Sequence, residues 1–138
     1  MEESLEWVND CRKQWERGQE YSFAIVDPQT HLFLGGVGLN QFSHMHRTAN
    51  LGYWVRSSCT GRGIATAATR LIALFAFADL QLQRLEILIE VGNIASQRVA
   101  EKAGAQREGI LRKRLCIHGN AVDAVVYSLI ASDQAFPA

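Results

Sequence analysis

Gly61-Arg62-Gly63 stands between the aromatic segment Gly52-Tyr53-Trp54-Val55 and an apolar-periodic stretch that begins at Ile64. Two glycines one residue apart let successive backbone N–H groups turn toward a common point. A helix starting straight afterwards adds its own unsatisfied amides and the positive end of its dipole. The amides of Gly61, Arg62, Gly63, Ile64, Ala65 and Thr66 therefore form a candidate cradle for a phosphate or pyrophosphate. Thirty residues on, Asn93 follows an alternating segment that ends at Val91, and Ser96 lies at the entry of another short helical pattern. Asn and Ser at a helix start are capping residues by default. A G-x-G turn alone is weak evidence for a ligand, since a tight turn needs the same glycines.

The elements that must position these groups can be read from periodicity. Ser4 can cap a first helix carrying Trp7, Val8, Cys11 and Trp15, with Gly18 as a stop. Strands are expected over Tyr21 to Val26, Leu32 to Leu39 and Asn50 to Val55, the first two joined by the turn Asp27-Pro28-Gln29-Thr30. The helix after Gly63 is expected to bury Ile64, Ala68, Leu71, Ile72 and Phe75. Arg84 to Val91 alternates as a strand with Leu85, Ile87, Ile89 and Val91 on one side. Ile94 to Ala103 reads as a short helix, Val99 and Ala103 inward, ended by Gly104. Two last strands, about Arg107 to Ile117 and Asn120 to Ile130, meet at His118-Gly119. The expected class is α+β (α/β): a mostly antiparallel mixed sheet with one central β–α–β unit and helices on both faces.

Two common phosphate-binding folds do not fit. The turn is G-x-G without the third glycine of a dinucleotide fingerprint, and the upstream strands are hairpin-connected. No Gly-Lys-Ser/Thr follows, which excludes a P-loop. The 138 residues suit a single domain, with 14 basic and 14 acidic residues in balance. That balance gives no whole-chain field for nucleic acid or an anionic membrane. Cys11, Cys59 and Cys116 form no CxxC pair, so neither a disulfide framework nor a zinc site is expected, and reduced thiols suit a cytoplasmic protein. His31, His44, His46 and His118 read as turn or loop residues, and no metal is expected. The longest apolar run, Leu71 to Ala78, is too short to span a bilayer.

Taken together, the motifs resemble the GNAT superfamily of acetyl-CoA-dependent N-acetyltransferases, and within it the Rim-type branch that acetylates the N-termini of ribosomal proteins. The matching pieces are Leu51-Gly52-Tyr53-Trp54-Val55, Gly61-Arg62-Gly63-Ile64-Ala65-Thr66, Asn93-x-x-Ser96 with Glu101-Lys102-x-Gly104, Glu108-Gly109-x-Leu111-Arg112, and Asp123 before Tyr127-Ser128-Leu129. The resemblance implies acetyl-CoA as donor, with its pyrophosphate on the Gly61 to Thr66 turn and its pantetheine laid against the backbone near Val55. It further implies that Asn93 bonds the pantetheine and that Ser96 gives a proton to the departing thiolate. The reaction is then direct attack of a neutral amine on the thioester, on a protein N-terminus or a small amine such as a polyamine or aminoglycoside. A non-catalytic acetyl-CoA-binding module is the competing expectation.

Two departures from the resemblance bear on function. Asn50 stands where many related chains carry a glutamate that activates the amine, and asparagine is no base at neutral pH. Glu90, Asp123, a histidine or bulk water are the remaining candidates. Rim-type chains also usually open with an extra strand and helix before the segment resembling Ser4 to Gly18, so the resemblance implies either a naturally shortened member or a fragment. An uncovered edge strand would favour pairing, and a homodimer is one expectation.

Overall fold

The computed structural model describes residues 20–56 and 63–133. Six strands and two α-helices follow in the order β1 (Tyr21–Val26), β2 (Phe33–Ser43), β3 (Thr48–Val55), α1 (Ile64–Ala78), β4 (Arg84–Glu90), α2 (Ile94–Lys102), β5 (Gln106–Ile117) and β6 (Asn120–Leu129). The strands form one sheet in the order β1-β2-β3-β4-β6-β5. Only β3 and β4 run parallel, joined by α1; every other neighbouring pair is antiparallel. The expected mixed sheet with a central β–α–β unit is the observed one. Both described helices pack on the same sheet face, and the first expected helix, Ser4 to Gly18, lies outside the described residues.

Turn chemistry explains where the strands reverse. Asp27 Oδ1 accepts from the amides of Gln29 at 2.8 Å and Thr30 at 3.1 Å, closing the β1–β2 turn as the Asp-Pro pair predicts. His118 and Gly119, with φ of 51° and 81°, form a two-residue connection whose left-handed residues match the twist of β5 and β6. The β2–β3 hairpin is longer than the pattern suggests. Hydrophobic alternation fades at Asn40, yet pairing continues to Ser43 opposite Thr48. Phe42 supports the extension by packing edge-on against Tyr21, with ring centroids 5.6 Å apart.

The core lies between the helices and the central strands. Leu39, Leu51, Leu85, Ile87, Val125, Tyr127 and Leu129 are almost wholly buried, and Leu85, Ile87 and Ile89 share the inner face of β4 as their alternation requires. Of the stripe expected in α1, Ile72 is buried, Ala68 and Phe75 pack partly buried against the core, and Leu71 is 67% exposed. The fully buried residues are Thr69, Ile72, Ala73 and Ala76. These four follow i, i+3, i+4, i+7 spacing, and the alanines let the helix axis sit close to the sheet. In α2 the buried residues are Gln97 and Ala100, and Val99 is only partly buried. Ala103 is buried as expected, and Gly104, at φ 96°, lies just past the helix end.

Tyr127 anchors α2 to the sheet. Its side chain is fully buried and its hydroxyl donates to Glu101 Oε1 at 2.8 Å. Burial first, and the Glu101 carboxylate second, push the phenol up to about 12. On the opposite sheet face Arg84 reaches across β6. Its guanidinium donates to both oxygens of Glu108 on β5, at 2.6 and 3.1 Å, and through Nε to Glu86 at 3.1 Å. Ser128 Oγ on β6 donates to Glu108 Oε2 at 2.8 Å, so three strands share one polar network.

The Arg84 hydrogen bonds, then the Ser128 hydroxyl, hold the Glu108 carboxyl down to about 2 from 4.5. A depressed carboxylate contributes stability that is complete above its unfolded value and fades as the pH falls through the folded one. The pair is partly open to solvent, which limits its worth to about 1 kcal/mol or less. Glu108→Gln is expected to lower urea-unfolding stability by that amount near neutral pH, with the difference shrinking from about pH 5 toward 2.

Candidate active site

The parallel pairing of β3 with β4 is short. Thr48, Ala49 and Asn50 face Arg84, Leu85 and Glu86, and beyond them the two strands share no further register. Leu51 to Val55 stay paired with β2 on their other side, and Ile87 to Glu90 with β6. The sheet thus forks, and each arm turns an unpaired strand edge toward the gap. Gly35 on β2 permits the close approach that holds the β3 arm, since a Cβ there would lie 2.2 Å from the Trp54 carbonyl oxygen.

Parallel strands end on the same side of a sheet, so the helices that follow them start there together. α1 begins after β3 and α2 after β4, and both N-termini border one cleft of about 470 Å³. Its lining includes Val55 from the β3 arm, Gly63, Ile64, Ala65 and Thr66 from the start of α1, and Asn93 and Ser96 from the start of α2. Seven of the nine residues singled out in the sequence meet in this cleft. The other two, Gly61 and Arg62, lie outside the described residues.

Each helix start has its own local logic. Gly63 is the N-cap of α1 at φ 73°, a left-handed conformation that glycine adopts without strain. It makes no side-chain cap, and the first intrahelical bond runs from Ala67 N to Gly63 O at 3.1 Å. The amides of Ile64, Ala65 and Thr66 thus precede the first helical hydrogen bond. Asn93 is the N-cap of α2, its Oδ1 accepting from Ser96 N at 3.1 Å. Because the partner is an N–H donor, the oxygen of the amide is fixed on the capping side and Nδ2 is left for other partners.

Tyr53, from the aromatic segment ahead of the G-x-G turn, also lines the cleft. The phenol crosses from the β3 arm to α2, donating to the Ser96 carbonyl oxygen at 2.7 Å and accepting from Ser96 Oγ at 3.2 Å. Burial raises its pKa above 10, while the bonds from Ser96 and an Ala100 backbone group pull the other way. Arg98 and Lys102, four residues apart on α2, also line the cleft. The i, i+4 spacing of two basic residues after Asn93 is the signal that could have identified them. Among the described residues that line the cleft there is no carboxylate or histidine. Of the candidate bases, Asp123 Oδ1 accepts from Lys113 N at 2.8 Å on the β5–β6 hairpin, Glu90 is half-buried at the end of β4, and all four histidines are exposed. Among the described residues no helix is long and apolar enough to cross a membrane.

Comparison with known proteins agrees with this architecture. The acetyltransferase (GNAT) domain model matches residues 1–106. YjcK of Bacillus subtilis (strain 168), named a probable N-acetyltransferase, is 35% identical over 128 residues, covering 92% of this chain and 71% of that protein. The ribosomal-protein-serine acetyltransferase of Escherichia coli (strain K12) is 28% identical over 147 residues, covering 97% of this chain and 81% of its own. Mycobacterium smegmatis RimJ, solved in complex with CoA-disulfide, superposes with a TM-score of 0.85 at 29% identity, over 96% of this chain and 63% of RimJ. GNAT acetyltransferases use acetyl-CoA and carry the acetyl group to an amine. With the forked sheet, the paired helix starts and these relatives in agreement, the chain belongs to the GNAT acetyltransferase family, in its Rim-type, ribosomal-protein-acetyltransferase-like branch.

Proposed function

We propose that this chain moves the acetyl group of acetyl-CoA onto the α-amino group of a protein or peptide N-terminus, by direct attack within the forked cleft. The observation that carries the reading is the meeting of two helix N-termini and the open β3 arm around one cavity. Such a site suits a ligand with an anionic end and an extended amide-bearing arm. The free amides from Gly63 to Thr66 take the pyrophosphate, with Gly61 and Arg62, which precede them in the sequence, as further candidates. Arg98 and Lys102 supply counter-charge at the rim. The pantetheine lies along the unpaired edge near Val55 in the manner of an added strand, and Asn93 Nδ2 donates to it while Oδ1 keeps its capping bond. Ser96, at the positive end of α2, gives its hydroxyl proton to the thiolate as the carbon–sulfur bond breaks.

The acceptor class is read from the described lining. Among the described residues that line the cleft there is no carboxylate or histidine, which favours an amine that brings its own neutral fraction. An α-amino group, with a pKa of about 7.7–8.0, is roughly one tenth neutral at pH 7, whereas a lysine side chain near 10.4 is less than about a thousandth neutral. The same lack of a base is what favours the second reading, a module that binds acetyl-CoA without turnover. A CoA-release assay over peptides, spermidine and aminoglycosides separates the two. Peptides with free N-termini should react, with kcat/KM rising through the amine's own pKa near 8 and showing no earlier enzyme-borne step. Tight acetyl-CoA binding with no transfer to any amine would sink the enzyme reading, and absence of binding would sink both.

Asn93 carries two roles that one substitution can resolve. Asn93→Ala is expected to lower stability by about 1 kcal/mol through the lost cap and to raise the Kd for acetyl-CoA severalfold by calorimetry. Asn93→Asp keeps the capping oxygen but has no donor, so it should restore the melting temperature and leave the affinity weak. Full affinity in the aspartate variant would remove Asn93 from the binding site.

A further inference from the structure

We propose that Tyr53 is a positioning residue for acetyl transfer, whose hydroxyl orients Ser96 Oγ and replaces the proton that Ser96 passes to the departing thiolate. The inference rests on Ser96 being the group that meets the thiolate. Tyr53 sits in the open arm of β3, beyond the last residue paired with β4, and its side chain lines the same cleft as Ser96. Two hydrogen bonds join its single oxygen to one residue. Oη donates to the Ser96 carbonyl oxygen at 2.7 Å and accepts from Ser96 Oγ at 3.2 Å. The first bond fixes the backbone of the α2 entry relative to the β3 arm, and the second selects the direction of the serine hydroxyl. A strand residue thereby sets the position of a helix residue across the gap where the thioester must lie.

Proton chemistry gives the pairing its purpose. An aliphatic hydroxyl is nearly as poor an acid as water, whose pKa is about 15.7, while a thiol ionises near 8.5. A serine that gave up its proton unaided would leave an alkoxide far less stable than the thiolate it relieved. A phenol, near 10, stands much closer to the thiol. Its burial keeps Tyr53 in the neutral, proton-bearing form. The Ser96 proton that rests on Tyr53 Oη turns to the sulfur, and rotation about the phenolic C–O bond then brings the Tyr53 proton from the Ser96 carbonyl oxygen to Ser96 Oγ, both on the same residue. As the carbon–nitrogen bond forms and the carbon–sulfur bond breaks, the electron pair of the latter goes to sulfur. Sulfur takes the Ser96 proton, Oγ takes the Tyr53 proton, and the phenolate recovers one from solvent, into which the acetylated nitrogen has released its own. Nothing is oxidised or reduced.

The test is steady-state kinetics of the full chain with acetyl-CoA and a peptide bearing a free N-terminal amine, followed by CoA release. Tyr53→Phe should lower kcat at least tenfold while the KM for acetyl-CoA moves less than about twofold. Tyr53→Phe combined with Ser96→Ala should be no slower than Ser96→Ala alone, because the phenol acts only through the serine. A wild-type kcat in Tyr53→Phe, or losses that multiply in the double variant, would overturn the inference and leave the proposed function standing. A Ser96→Ala variant at full activity would instead overturn the serine's role and the inference with it. Thermal unfolding checks that each variant is folded. If the phenylalanine variant is not, 3-fluorotyrosine at position 53 keeps both hydrogen bonds and is a stronger acid, so kcat should rise; an unchanged kcat counts against the relay.

Discussion

Everything functional in this molecule depends on the short parallel contact between β3 and β4. Three residue pairs hold the strands together, and after Asn50 and Glu86 they part. Had the pairing continued, the backbone edges of both arms would have been consumed by each other and the cleft would be closed sheet. Because it stops, each arm keeps one edge for its antiparallel neighbour and one edge free. The free edge of the β3 arm, with Gly52 and Trp54 exposed, lies open to pairing with an extended amide-bearing segment. Parallel direction adds the second half of the site, since it brings the N-termini of α1 and α2 to the same end.

The placement of α2 shows how the fork is held open to a defined width. Tyr127 ties the helix to β6 from below through Glu101, and Tyr53 ties its first turn to the β3 arm. Asn93 closes the helix start on itself. Both tyrosines keep their protons because burial disfavours the charged phenolate. Ser96 therefore sits at a helix end whose position is determined from two strands and from its own cap, and the chemistry assigned to it relies on that rigidity.

Charge is distributed in keeping with the same division of labour. The cationic side chains Arg98 and Lys102 are on the cleft, while the carboxylates of Glu86 and Glu108 are engaged by Arg84 on the opposite face of the sheet. The described part of the cleft therefore offers cations and amide donors to an anionic ligand.

Much of this was legible in the residues themselves. Asp27-Pro28, His118-Gly119, the alternation from Leu85 to Ile89 and the G-x-G before Ile64 are local signals, since turn dihedrals and strand periodicity act over a few residues. They sufficed for the order of elements and for the two segments that line the cleft. Where packing decides, the local pattern misled. Leu71 has the size of a core residue but faces outward, because the sheet selects the small stripe of Thr69, Ala73 and Ala76. β2 runs on through polar residues because β3 and Tyr21 support it. The length of the parallel pairing, the fork it leaves, and the contact of Tyr53 with Ser96 across 43 positions of chain belong to tertiary structure alone. Sequence spacing determines which residues share a helix or a strand, and only the folded sheet decides which of those elements part from each other and what is held between them.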